Sequence, residues 1–358
     1  MLSLRAQATP YTDTSFILAA AYATLLTLLA VLRVISNRIA YGPPRPVDLS
    51  EEVVVVTGGA SGLGLLIARI YGLRGVSVAV LDVKEVGEIE EGWEEGSGVE
   101  YYRCDISNRK EVEWVMGKIK EDVCFFFMIY VPLVFEYFLQ ANVLVQLGMP
   151  TVLVNCAAAR INGQSLLALP AEAFQKTIRT NLFAVFHTCQ VLLPGMITAP
   201  NGGTIVNVSS VLGQLPAAGL CDYSASKAGL SALHQTLEAE VRAARLQERV
   251  KLLLVETGQL STPLFDWIQT PNKFFAPILE PVQVAQEIVD AIDNGRGGVI
   301  RLPAFAALAR WYAILPAGLQ RIARSMSGID NAVAQKSPSA RQSSDNATQS
   351  DSESVDMD

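Results

Sequence analysis

Residues 51–83 leave few architectures open to this chain. "EEVVVVTG" is an unbroken β-branched run, "GLGLLIARIYGLRG" carries apolar residues at helical spacing and closes on Gly75, and "VSVAVLDV" is β-branched again. Short runs without polar alternation are strands covered on both faces, and two such strands joined by a helix lie parallel. Between the first strand and the helix the chain reads "TGGASGLG", with Gly58, Gly62 and Gly64 in the turn. Glycine there lets backbone bend sharply and approach a pyrophosphate while the helix N-terminus faces its negative charge.

The rhythm continues through "VEYYRCDI", a helix over "NRKEVEWVMGKIKE", the strand "TVLVNCAA" and a long helix through "AFQKTIRTNLFAVFHTCQVLL". "GTIVNVSS", a helix from Ser224 to about Leu246, and "VKLLLVETG" follow. The expectation is an α/β fold, a doubly wound parallel sheet, over residues 47–302.

Both flanks differ from this core. "TSFILAAAYATLLTLLAVL", Thr14 to Leu32, is uncharged and long enough to span a hydrocarbon core, so residues 1–46 read as a transmembrane helix followed by the stiff spacer "YGPPRP". A helix lying in the membrane surface is the alternative, although the run is apolar all round rather than on one face. Arg33, Arg38 and Arg45 follow the run and only Arg5 precedes it, which places the downstream domain in the cytosol on a single-pass anchor. Residues 303–330 mix Trp311, Tyr312, Leu315 and Leu319 with three arginines and suit a membrane-proximal amphipathic segment, or a helix packed on the domain. Residues 331–358 are rich in Ser and Asp and are expected to be a disordered acidic tail.

A hydrophobic fraction of 50% also implies contact with lipid. The net charge of -7, with no base after Arg341, leaves no basic stripe for nucleic acid. Five scattered cysteines read as reduced thiols, and with no CxxC and with His187 and His234 far apart a metal site is not expected.

Two features carry chemistry. Asp82 ends the second strand about twenty residues after the glycine turn, where a carboxylate can accept hydrogen bonds from an adenosine ribose; it would repel a 2′-phosphate, which favours NAD over NADP. An ordinary strand-end turn residue is the plainer reading of Asp82. In "YSASK", Tyr223 and Lys227 share one helical face, where an ammonium is expected to lower the phenol pKa and make Tyr223 a usable proton carrier. Ser210, thirteen residues before Tyr223 at a strand end, can hydrogen-bond a substrate oxygen.

With these residues together, the sequence resembles the short-chain dehydrogenase/reductase family over roughly residues 51–302. The glycine motif appears as Thr57, Gly58, Ser61, Gly62, Leu63 and Gly64, and the resemblance implies a Rossmann fold and a catalytic tetrad of Asn181, Ser210, Tyr223 and Lys227. It implies that Tyr223 is the acid/base, Ser210 positions the substrate oxygen, Lys227 also holds the nicotinamide ribose, and Asn181 anchors a relay water. Asp105 is similar to the family residue beside the adenine, and Thr262 to the one that holds the carboxamide; Asn155 stands in a cofactor motif altered here to "NCAA". The usual Pro-Gly after the sixth strand is Thr257–Gly258.

The anchor, Asp82 and "RWYAILP" are similar to the membrane-bound branch containing retinol and 17β-hydroxysteroid dehydrogenase-like enzymes of the endoplasmic reticulum and lipid droplets. That likeness implies hydride exchange with a CH–OH group of a lipophilic small molecule (retinoid, steroid or long-chain lipid) and allows for a homodimer. Residues 259–277, with Phe265, Trp267, Phe274 and Phe275, are expected to form an apolar lid, or to pack as an ordinary loop. A catalytically silent cofactor-binding scaffold at a membrane surface is the alternative function.

The stretch "VCFFFMIYVPLVFEYFLQANVLVQ", residues 123–146, fits none of this. As a membrane span it would separate strands that must hydrogen-bond one another. A surface hairpin turning near Pro132 is a second reading. The third and preferred one is a retained intron: Val123–Cys124, Ala141–Asn142 and Gln146 can be encoded by GTATGT, GCTAAC and CAG, and in-frame excision restores "GKIKEDLGMPTVLVNCAA".

Overall fold

The structure, a computed structural model, describes residues 14–89, 98–130, 149–265, 268, 277–331 and 333, with the side chains of residues 120–130 excepted. Helix α1 (Thr14–Tyr41) precedes a repeating unit: β1 (Val53–Thr57), α2 (Gly62–Leu73), β2 (Ser77–Asp82), β3 (Val99–Arg103), α3 (Arg109–Tyr130) and β4 (Val152–Asn155). Helix α4 (Ala171–Ile178) passes through a π-turn at Arg179–Phe183 into α5 (Ala184–Thr198). Then come β5 (Gly203–Ser210), α6 (Cys221–Ala243), β6 (Val250–Thr257), α7 (Pro281–Asp293), β7 (Gly298–Leu302), α8 (Ala306–Tyr312) and α9 (Ala317–Ser327).

The seven strands form one sheet in the order β3-β2-β1-β4-β5-β6-β7, and every pairing is parallel. The expected doubly wound fold is therefore present, and α7 and β7 complete it beyond the sixth strand. Alternation explains why both faces are dry. Val54 and Val56 of β1 join the core beneath α2 and α7, while Val53 and Val55 join the opposite core with α3 and α5. Because successive side chains point to opposite faces of the sheet, an all-apolar strand satisfies both layers at once.

Helix α1 is apolar and has no buried residue along its length; at 1.5 Å per residue its 28 residues are long enough to cross a bilayer. Its base is not a free spacer. Tyr41 packs where a side chain on Gly298 would come within 3.2 Å, and Arg242 donates to the Ala40 carbonyl at 2.9 Å. Arg45 corrects the reading of the basic flank. Its guanidinium is buried, bound to both oxygens of Glu52 at 2.7 and 2.9 Å and to Thr204 Oγ1 at 2.8 Å, so it serves the domain rather than standing free beside the membrane. Truncating one partner of such a pair strands a buried charge and costs about 3–5 kcal/mol.

Of the anomalous stretch, residues 123–130 continue the backbone of α3, and 131–146 lie outside the described residues. The last side chain of α3 placed in the core is Ile119. Trp267, Phe274 and Phe275 of the expected lid and nearly all of the expected acidic tail are also outside the described residues.

Candidate active site

Parallel strands bring all their C-terminal ends to one side, and the strand order reverses between β1 and β4. A crevice opens at such a switch point. Here it is a cleft of about 1110 Å³ lined by Gly58, Ser61, Gly62, Leu63 and Gly64 on one wall and by Asp82, Asp105, Tyr223, Lys227 and Thr262 elsewhere. Residues singled out by sequence are thus brought together by the fold.

The glycine turn is shaped by close approach. Gly58 has φ 67°, and a Cβ there would stand 2.6 Å from the Ala157 α-carbon at the end of β4. Gly62, at φ 55°, opposes Thr262 across the cleft, a Cβ on it reaching 3.5 Å from Thr262 Cγ2. Ser61 precedes α2 without capping it through its side chain. Bare backbone at a helix N-terminus suits a pyrophosphate. Asp82 also braces this turn. Its carboxylate accepts from the amides of Val83 at 2.8 Å and of Ala60 at 3.0 Å, pinning the turn to the end of β2. The Asp105 carboxylate accepts from Ser107 N at 2.9 Å in an exposed loop. These residues fit a nicotinamide dinucleotide: a cradle without side chains for the phosphates, and a carboxylate placed for a ribose.

Four expected site residues, Thr57, Asn155, Asn181 and Ser210, are not among those lining the cleft. The Asn155 amide donates to Asn207 Oδ1 at 2.8 Å and accepts from Thr188 at 2.8 Å; Asn207 in turn donates to His234 Nδ1 at 3.1 Å. The Asn155 side chain therefore binds strand to helix in the interior, so any contact it makes with a cofactor comes through its backbone. Thr57 Oγ1 accepts from Cys156 N at 3.2 Å and Ala157 N at 3.4 Å, so it shapes the "NCAA" loop from below. Asn181, fully buried in the π-turn, accepts from Ala159 N at 2.8 Å and donates to Ser226 Oγ at 2.9 Å. An inserted residue of this kind re-aims a side chain that a regular helix would direct elsewhere.

Ser210, Tyr223 and Lys227 are all buried. Ser210 Oγ accepts from Leu212 N at 3.2 Å and donates to the Thr257 carbonyl at 3.3 Å. Lys227 Nζ donates to the Val208 carbonyl at 2.8 Å and lies 5.7 Å from the centre of the Tyr223 ring. The expected depression of the phenol is not what this geometry gives. Burial pushes the Tyr223 pKa above its ordinary value, opposed by a hydrogen bond from Ser210, while burial pulls Lys227 down to about 8. Desolvation penalises both charged forms, and so favours the neutral phenol and the neutral amine.

Beyond Lys227, the structure gives this phenol a neighbour that the sequence did not pair with it. Phe265 meets it edge-on, the rings 6.3 Å apart at 87°, and Cys156 lines the same cleft with a thiol that burial pushes up to about 12. Only the altered "NCAA" motif signals Cys156, and nothing local signals the Phe265 contact.

Comparison with known proteins identifies the family. The short chain dehydrogenase family matches residues 52–125 and 139–272, leaving 126–138 unmatched between the two stretches. An uncharacterized oxidoreductase of Saccharomyces cerevisiae is 28% identical over 283 residues, 79% of this chain and 78% of its own. Epidermal retinol dehydrogenase 2 of Mus musculus is 28% identical over 270 residues, 74% and 78% of the two chains. Short-chain dehydrogenase/reductase 3 of Homo sapiens is 30% identical over 287 residues, 78% and 85% of the two chains. The sheet, the cleft and these matches together make this chain a member of the short-chain dehydrogenase family, an NAD(P)-dependent oxidoreductase acting on CH–OH groups.

Proposed function

We propose that this enzyme interconverts a lipophilic secondary or primary alcohol and its carbonyl, of retinoid, steroid or long-chain lipid type, with NAD(H) as the preferred coenzyme. The observation that carries the reading is the apolar wall facing the buried phenol: Leu260, Pro263, Leu264 and Phe265 line the cleft on the Tyr223 side. Three of the similar proteins are named as retinol dehydrogenases, which agrees with such a substrate. Bound in the cleft, the nicotinamide supplies or accepts the hydride.

The chain's own residues do the rest. Tyr223 moves the proton at the substrate oxygen, and Ser210 Oγ holds that oxygen. Lys227 holds the nicotinamide ribose, and Asn181 keeps the relay behind them in place. Asp82 selects NAD(H), because an anion beside the ribose repels a 2′-phosphate. Helix α1 is a single-pass anchor with the catalytic domain in the cytosol, at the endoplasmic reticulum or lipid droplets, and a homodimer uses the exposed Phe183 and Phe186.

The test is turnover by the purified full chain with NAD⁺ and NADP⁺ against retinoids, steroids and long-chain alcohols. Faster turnover of one lipophilic class than of short, polar alcohols is expected. Equal or better use of the polar alcohols contradicts the substrate assignment.

A further inference from the structure

Ser210 and Tyr223 are joined by residues 211–220, and both ends of that connection are held by the last two helices. At its start, Val211 and Leu212 pack against Ala306 and Ala309 of α8. Just beyond, Gln214 Nε2 donates to Glu256 Oε1 at 3.0 Å; the Glu256 carboxylate is buried and also accepts from Arg301 at 2.7 Å, with Arg310 of α8 at 3.7 Å. At its far end, the Ala218 amide donates to Asp330 at 3.2 Å, and Asp330 is also bound by Arg324 of α9. The α8–α9 unit is thus a shelf built onto the catalytic loop.

The outer surface of this shelf is apolar and open. Leu308 and Trp311 of α8 are 66% and 65% exposed, opposite the alanines that face the domain. On α9, Leu319, Ile322 and Met326 fall at i, i+3 and i+7 and are 51%, 56% and 80% exposed. Soluble domains rarely present this much contiguous apolar surface without an occupant. From Pro303 to Asp330 the shelf carries three arginines and one acid; Arg310 faces Glu256 and Arg324 is bound to Asp330, which leaves Arg321 to meet an anionic head group. An apolar stripe with arginines on the other side is the pattern of a helix lying in a lipid interface. The strand leading into the shelf, β7, is also the strand on which the base of α1 is seated, through Tyr41 over Gly298.

We propose that α8 and α9 dock on the face of an anionic lipid membrane, with Trp311 at the acyl boundary. The catalytic loop then stands directly behind the lipid surface, and a lipophilic substrate need not cross water to reach Tyr223. This docking is independent of the redox assignment.

The test uses the full chain in nanodiscs of phosphatidylcholine with or without phosphatidylserine, the acyl chains brominated to quench nearby tryptophan. Comparison with Trp311→Phe isolates residue 311 from the other tryptophans. We expect wild type to lose at least twice the fraction of emission lost by Trp311→Phe, and more with phosphatidylserine present. Leu319→Glu/Ile322→Glu, both at exposed positions, should abolish the excess while leaving NAD⁺ binding intact. Equal quenching of wild type and Trp311→Phe in discs that hold the protein overturns the docking, as does cross-linking of the shelf to a second copy. Failure of the protein to enter discs overturns docking and anchor together. Because quenching needs no turnover, its failure is distinguishable from failure of the substrate assignment.

Discussion

A phenol and an ammonium four residues apart are readable from sequence because helical spacing alone puts them on one face. What that spacing withholds is burial, and here burial is the largest cause at both groups: Tyr223 is shifted up and Lys227 down to about 8. Asp82 likewise reads as a ribose ligand, yet it also holds the Ala60 amide, so Asp82→Asn is preferable to Asp82→Ala as a test. Asp82→Asn should cut the NAD(H)-over-NADP(H) preference in kcat/KM at least tenfold, about 1.4 kcal/mol; an unchanged ratio would remove Asp82 from coenzyme selection. The inward side chains of Asn155, Thr57 and Arg45 were not legible in the sequence, for one reason. A residue at a strand end or in a spacer can point toward the cleft, the interior or solvent, and no local pattern decides among them.

His234 makes a residue-scale prediction about stability. Burial lowers its pKa to about 4 from 6.5, and it accepts a hydrogen bond from Asn207, so the native state holds it neutral. Between pH 6.5 and 4 the unfolded chain takes up a proton that the native chain refuses, and stability falls as pH falls. The loss attributable to this group is on the order of 3 kcal/mol by about pH 4. Denaturant unfolding of wild type and His234→Gln from about pH 7 to about pH 4 measures it. The variant should show the shallower decline, and parallel declines would refute the assignment.

At the scale of elements, the strands, the glycine turn and the helix carrying Tyr223 were legible because each is locally periodic. The π-turn that aims Asn181 was not, since "RTNLF" reads as ordinary helix. Residues 123–146 form the one long stretch that conflicts with its neighbours, and the family match breaks inside it, at 126–138. Sequencing of transcripts across Asp122 to Leu147 should find most lacking these codons; their presence in every transcript would defeat the retained-intron reading. Protein without the stretch should also melt higher than protein with it, by several degrees, because a large apolar segment beside a compact sheet must otherwise be hidden.

At the scale of the whole molecule, an apolar helix is rooted at one sheet edge, an amphipathic shelf is built onto the loop between Ser210 and Tyr223, and the cleft has an apolar wall. The function proposed for it has the buried phenol of Tyr223 carry the proton for a dehydrogenase acting on a lipophilic alcohol. Steady-state turnover of the best alcohol by Tyr223→Phe, measured beside NAD⁺ binding, tests this most directly. The expected result is a loss of kcat of about 10²–10⁴-fold with coenzyme affinity within a few-fold of wild type. Turnover close to wild type in a variant that binds NAD⁺ normally would contradict it.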